Sequence, residues 1–100
     1  MTIEKNLNGN QLTIKLDGRL DTITAPDLEA ELKSCLAGVD DLIFDLEGLE
    51  YVSSAGLRTL LIAQKAMNAK EGQMKLIHVN EDVYEIFDIT GFTDIFAIEQ

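Results

Sequence analysis

The sequence has little of several residue types that would each point to a particular class of protein. Its 100 residues include one cysteine, one proline and one histidine, and no tryptophan. The single thiol, Cys35, cannot form an internal disulfide, which favours a reducing, cytoplasmic setting. No uninterrupted apolar run exceeds four residues, whereas a helix that crosses a bilayer needs roughly 20. The N-terminus also lacks the pattern of a signal peptide.

Basic residues are scarce as well. Eight of them face 18 acidic residues, so the formal net charge is −10, which excludes attraction to nucleic acid or to an anionic membrane surface. The segment Asn80–Gln100 has six acids and no Lys or Arg, whereas Ser54–Lys70 has three bases and no acid. The basic segment is either a solvated helix face or part of a docking surface. The 46% apolar content supplies a core for one domain over residues 1–100.

Motifs for catalysis, cofactors and metals are absent. The sequence has neither of the phosphate-binding motifs Gly-x-x-x-x-Gly-Lys and Gly-x-Gly-x-x-Gly. It also lacks a nucleophile elbow, because no glycine lies two residues before Ser53 or Ser54. His78 and Cys35 are far apart in the sequence and make a weak metal-binding pair. We therefore expect a protein that is not an enzyme and has no cofactor and no metal.

The apolar pattern predicts a small α/β domain. Alternation from Ile3 to Leu7 and from Leu12 to Leu20 predicts two half-buried strands, joined by a hairpin turn at Asn8-Gly9, with a bulge or bend at Gly18. Helical spacing predicts helices that start near Thr24, Ser53 and Asn80, where Thr24 accepts hydrogen bonds from first-turn amides. Further strands are expected over 42–46, over 74–79 with His78 inside it, and near 95–98, and Gly48–Val52 is a connection.

This order, β-β-α-β-α-β-α-β, predicts parallel βαβ units added to an N-terminal antiparallel hairpin. The sheet is therefore expected to be mixed.

The junction at Ser53 and Ser54 places two hydroxyls at the start of a helix. Ser53 in the N-cap position would accept from the free amides of Ala55 or Gly56, and the Ser54 hydroxyl would then face outward. Small Ala55 and Gly56 leave room for a partner to approach. A helix N-terminus favours an anion, so a phosphate on Ser54 is physically acceptable and would change a partner interface strongly. Plain capping and a phosphorylation switch both fit these residues.

Around this junction the sequence resembles the STAS domains of bacterial anti-sigma factor antagonists. Three stretches carry the resemblance: Leu20–Pro26, Leu42–Arg58 and, more weakly, Leu76–Gly91. The resemblance implies a mixed sheet with helices mainly on one face. It also implies that the protein binds an anti-sigma factor, usually a serine kinase of the histidine-kinase-like ATPase type, and so releases a sigma factor. It leaves room for a phosphatase as a further partner.

The resemblance also implies roles for single residues. Aligning Gly56-Leu57 with the family places the phosphorylated serine at Ser54, which agrees with Ser53 as the helix cap. Asp21 matches the acidic residue in the loop before the first helix, and Thr22, Gly56 and Arg58 are expected to share the partner-binding surface with Asp21 and Ser53.

Two alternatives stay open. Many phosphorylated members have Asp directly before the target serine, where this chain has Ser53. The domain could therefore be an unphosphorylated STAS subunit of a membrane lipid-transport complex. A small phosphotransfer enzyme that uses Asp21 and Asp45 is the second alternative, and no phosphate-binding loop supports it.

Overall fold

The computed structural model describes residues 1–100. Six strands, three helices and one short 3₁₀ turn follow one another along the chain. In order they are β1 (Thr2–Asn8), β2 (Gln11–Leu20), α1 (Ala25–Cys35), β3 (Asp41–Asp45), β4 (Leu49–Val52), α2 (Ser54–Ala69), β5 (Gln73–Ile77), α3 (Glu81–Ile89), the 3₁₀ turn (Phe92–Asp94) and β6 (Ala97–Ile98). None of the helices has the length and apolar character needed to cross a membrane.

The sheet is mixed, as predicted. Its strand order is β1-β2-β3-β5-β6, with β1 antiparallel to β2 and every other pair parallel. The first part of β2 pairs with β3 and its last residues pair with β4. The predicted bulge at Gly18 is confirmed, because the β2–β4 register shifts between Gly18 and Arg19 and Gly18 has a φ of +105°.

One core lies between the sheet and the helices. Alternate residues of β2 are buried, and they pair across the sheet with buried residues of β3, such as Ile14 with Phe44. Buried apolar residues of all three helices belong to the same cluster, among them Leu28 of α1, Leu60 of α2 and Phe87 of α3. This confirms that the helices cover mainly one face of the sheet.

Three expectations about the elements are wrong. Residues 49–52 are a strand and not a connection, because the buried side chains of Leu49 and Val52 anchor β4 beside the end of β2. His78 follows β5 instead of lying inside it, and its φ of +55° takes the chain out of the sheet. Leu7 is 63% exposed although it alternates with polar residues, because β1 is an edge strand and Leu7 lies at its far end.

Candidate functional site

The two serines before and within α2 have different backbone conformations and different partners. Ser53 is extended, with a φ of −88° and a ψ of 175°, and its Oγ accepts a hydrogen bond from the Gly56 N–H at 3.3 Å. Its own N–H donates to the Leu20 carbonyl oxygen at 2.9 Å, which ties the start of α2 to the end of β2. The structure thus has Ser53 as the N-cap of α2.

Ser54 is the first residue of α2 and its side chain is exposed. Its hydroxyl makes no hydrogen bond within the protein, so a modifying enzyme can reach it without breaking a structural contact. The first-turn amides and the helix dipole favour negative charge at this end of α2. The position can therefore accept a phosphate while the helix stays intact.

Asp21 forms a turn between β2 and α1. Its Oδ1 accepts hydrogen bonds from the backbone N–H groups of Ile23 at 3.0 Å and Thr24 at 3.1 Å. The hydrogen bond from the Thr24 N–H, and after it the one from Ile23, hold the pKa of Asp21 below its ordinary value. Through these hydrogen bonds to Oδ1, the half-buried Asp21 shapes the turn that leads into α1.

Thr24 does not cap α1 with its side chain, contrary to the sequence prediction. Its backbone is already helical, and its hydroxyl donates to the Arg19 carbonyl oxygen at 2.8 Å and accepts from the Asp21 N–H at 2.9 Å. The reason is that the chain leaves β2 through a tight turn that uses the Thr24 hydroxyl. The N–H groups of Asp27 and Leu28 in α1 donate instead to the Thr24 carbonyl oxygen.

A groove of about 120 Å³ runs between α1 and α2, and Ala55, the residue after Ser54, lines it. It brings together two residues that the sequence assigned to the partner-binding surface, Thr22 and Arg58, both of which are exposed. Its other walls are small or apolar for the most part. The lining residues are Thr22, Ala25, Pro26, Glu29, Ala55, Arg58, Thr59 and Ile62.

Gly56 is buried and does not form part of the surface, so the expected contact with a partner is wrong. A Cβ at this position would lie 2.7 Å from both the carbonyl oxygen and the Cγ of Leu20. The glycine leaves room for the end of β2 and not for a partner. Its role is to let the first turn of α2 pack directly on β2, which fixes where Ser54 lies.

Sequence reasoning missed the most exposed large apolar residue, Ile23, whose side chain is 83% exposed. It lies in the turn that Asp21 holds, between β2 and the groove. The only sequence signal is a single apolar residue between two threonines in a stretch that forms no regular element.

A second cluster of polar side chains lies where β3 and β5 end. Ligand atoms of Asp45, Glu47 and His78 all lie within 4.8 Å of one another, and His78 Nδ1 is 3.0 Å from Asp45 Oδ1. Sequence spacing could not reveal this cluster, because parallel pairing of β3 with β5 brings its members together. Asp45 also accepts a hydrogen bond from the Glu47 N–H, so its carboxylate has a structural role at the end of β3.

A family model and curated relatives with similar sequences indicate the same family for this chain. A family model described as the STAS domain matches residues 2–100. BtrV of Bordetella bronchiseptica, provisionally named an anti-sigma factor antagonist, is 37% identical over 84 residues, covering 83% of this chain and 72% of that protein. The anti-sigma-B factor antagonist of Staphylococcus aureus is 28% identical over 101 residues, covering 100% of this chain and 94% of that protein.

Solved structures have the same fold. An anti-sigma factor antagonist from Mycobacterium paratuberculosis superposes with a TM-score of 0.88 at 22% identity, covering 98% of this chain and 84% of that chain. The Bacillus cell fate determinant SpoIIAA in its phosphorylated form superposes with a TM-score of 0.77 at 18% identity, covering 99% of this chain and 92% of that chain.

Proposed function

This chain belongs to the STAS domain family, as an anti-sigma factor antagonist, and from that premise we propose that phosphorylation of Ser54 switches off its binding to an anti-sigma factor. The proposed partner is a serine kinase of the histidine-kinase-like ATPase type, and a phosphatase restores the binding-competent form. The chain acts in the cytoplasm by binding and not by catalysis.

The observation that carries this proposal is the division of roles between adjacent serines. Ser53 is the helix cap, and Ser54 has an exposed hydroxyl without a structural partner. SpoIIAA, a protein with the same fold, has been solved in a phosphorylated form, which supports a phosphate as the modification. The names of the relatives favour this function over the alternative of a lipid-transport subunit.

The mechanism follows from charge. The proposed partner surface consists of Ser54, Thr22 and Arg58, with Ser53 and Asp21 holding it in shape. A phosphate adds about −1.5 to −2 charges to Ser54 at neutral pH. The N-terminus of α2 stabilises that charge within the protein, whereas a partner packed against Ser54 would have to remove its water. Phosphorylation therefore leaves the fold intact and disrupts the complex.

The first experiment locates the phosphate. The protein is incubated with its cognate anti-sigma kinase and ATP, and the modified residue is identified by peptide fragmentation. We expect one phosphate, on Ser54, in the wild type and in Ser53→Ala, and none in Ser54→Ala. Phosphate on Ser53, or persistent phosphorylation of Ser54→Ala, would contradict the assignment.

Titration calorimetry against the anti-sigma factor then measures the effect on binding. Ser54→Ala should bind like the wild type, because it removes one exposed hydroxyl. Phosphorylated protein should bind much more weakly, and Ser54→Asp should fall between them because it adds only one charge. Equal affinities for all forms would place the interface elsewhere on the molecule.

A further inference from the structure

The turn at residues 21–24 presents a large apolar side chain to solvent beside the proposed switch. Ile23 is 83% exposed, more than any other large hydrophobic residue of the chain. We infer that Ile23 is the apolar anchor of the complex and inserts into an apolar recess on the anti-sigma factor. This inference rests on the proposed function and adds to it the residue that supplies affinity and the kind of surface that receives it.

The turn holds Ile23 in a fixed position. The Asp21 carboxylate accepts from the N–H groups of Ile23 and Thr24, and the Ala25 N–H donates to the Asp21 carbonyl oxygen at 2.8 Å. The Thr24 hydroxyl connects the turn to the Arg19 carbonyl oxygen. A side chain held on a hydrogen-bonded turn loses little backbone freedom on binding, so more of its contact energy remains as affinity.

The groove between α1 and α2 continues from Ile23 toward Ser54. Thr22, next to Ile23 in the chain, and Ala25, two residues beyond it, line this groove, whose walls are partly apolar and partly polar. The apolar or small part includes Pro26, Ala55 and Ile62, and the charged part is Glu29 and Arg58. Ala55 directly follows Ser54. A partner that covers Ile23 and this groove would contact Ala55, the residue next to Ser54.

Burial of Ile23 in the complex also increases the loss of affinity that the phosphate causes. Hot-spot residues contribute most to binding where the contacts around them exclude water. A phosphate on Ser54 is strongly hydrated and would lie at the border of this dry contact, where its desolvation opposes docking. The apolar anchor therefore makes the complex sensitive to a charge that the free protein tolerates.

The test compares two isoleucines with similar exposure. Ile23→Ala and the matched control Ile89→Ala remove the same atoms from positions that are 83% and 76% exposed. Calorimetry with unphosphorylated protein should show Ile23→Ala weakening binding to the anti-sigma factor by about tenfold or more, as for a central interface residue, and Ile89→Ala within about twofold of the wild type. Ile23→Leu should restore most of the affinity, and Ile23→Ser should not. Thermal melts of all variants should coincide with the wild type.

The dependence on the turn is tested with a double-mutant cycle. Asp21→Ala removes the acceptor that orders the turn, so the additional effect of Ile23→Ala should be smaller in that background. If the wild type binds and Ile23→Ala loses no affinity, the anchor is overturned and the proposed function stays in place. The same holds if Ile89→Ala loses as much affinity as Ile23→Ala. A wild type that does not bind the anti-sigma factor would instead overturn the proposed function.

Discussion

Ser53 and Ser54 are chemically identical neighbours, and the backbone separates their roles. Ser53 is extended and accepts a hydrogen bond from the helix, whereas Ser54 is helical and its hydroxyl is free. The first turn of α2 therefore depends on one serine for its stability and leaves the other available for modification.

Stability measurements separate these roles. Ser53→Ala should lower the free energy of unfolding by about 0.5–2 kcal/mol, because it removes the acceptor for the Gly56 N–H. Each kcal/mol shifts the melting temperature by roughly 4–8 °C in a domain of this size. Ser54→Ala should shift it clearly less, and thermal melts of both variants in one buffer make the comparison. A larger loss in Ser54→Ala would identify Ser54 as the cap and remove the physical basis for its proposed phosphorylation.

Local chemistry allowed Ser53 to be predicted but not the roles of Thr24 and Gly56. A serine directly before a helical apolar pattern caps that helix through atoms close in sequence. Thr24 has the same kind of position, but its hydroxyl bonds to Arg19, a residue of the preceding strand. The sequence does not predict the burial of Gly56, because the contact that requires a glycine there is with Leu20, a neighbour only in the folded chain.

At the scale of elements, the difference between local and long-range contacts explains which strands the sequence predicts. The strand around Ile14 has a long alternating apolar pattern and the strand around Phe44 has a short continuous apolar run, and the sequence predicts both. β4 has only four residues, and two adjacent ones, Glu50 and Tyr51, are exposed, so no alternation indicates a strand. It exists because the bulged end of β2 offers it a partner.

The ends of β3 and β5 are linked by Asp45 and His78. A hydrogen bond to Asp45, followed by the charge of the same carboxylate, raises the pKa of His78 above its ordinary value of 6.5, and Glu47 and Glu99 act in the same direction. Burial alone would raise the pKa of Asp45, but hydrogen bonds from His78 and the Glu47 N–H bring it below its ordinary value of 3.8.

This link gives the stability a pH dependence. The raised pKa of His78 stabilises the fold fully below about pH 6.5, and this contribution is lost as the pH rises through the raised value. The contribution of Asp45 is present above its ordinary pKa and is lost only in acid. The wild type should therefore melt above His78→Gln at about pH 5.5 and close to it at about pH 8.5. An equal difference at both pH values would exclude the titration of His78 as its cause.

At the scale of the whole molecule, the charged residues are unevenly distributed, and some of the basic side chains form bonds within the protein. Of the three bases in the segment Ser54–Lys70, Lys70 donates to the carbonyl oxygens of Leu36 and Val39 and so holds the end of α1. Arg58 and Lys65 are exposed, and Arg58 is the one that lines the groove. The basic part of the proposed interface therefore consists mainly of Arg58, within a protein whose net charge is −10.

The outer edge of the sheet has a consequence for self-association. β1 spans seven residues and has no strand on its outer side, so the backbone N–H and C=O groups that it directs outward could pair with β1 of a second copy. In a two-fold symmetric antiparallel pair that uses all seven residues, Lys5 lies directly opposite Lys5 of the other copy. Like charges in direct opposition destabilise such a pair, so we expect the wild type to stay monomeric through this edge.

Replacing that lysine should allow the two edges to join. In Lys5→Val the same register opposes valine to valine and Ile3 to Leu7, which creates a continuous apolar stripe across the two copies. Sedimentation should show Lys5→Val forming dimers with increasing concentration, while Lys33→Val, which removes the same charge from helix α1, stays monomeric. A monomeric Lys5→Val would mean that other features block the edge. We thus expect a single charge at the midpoint of β1 to keep the sheet at six strands and to prevent a continuous sheet across two copies.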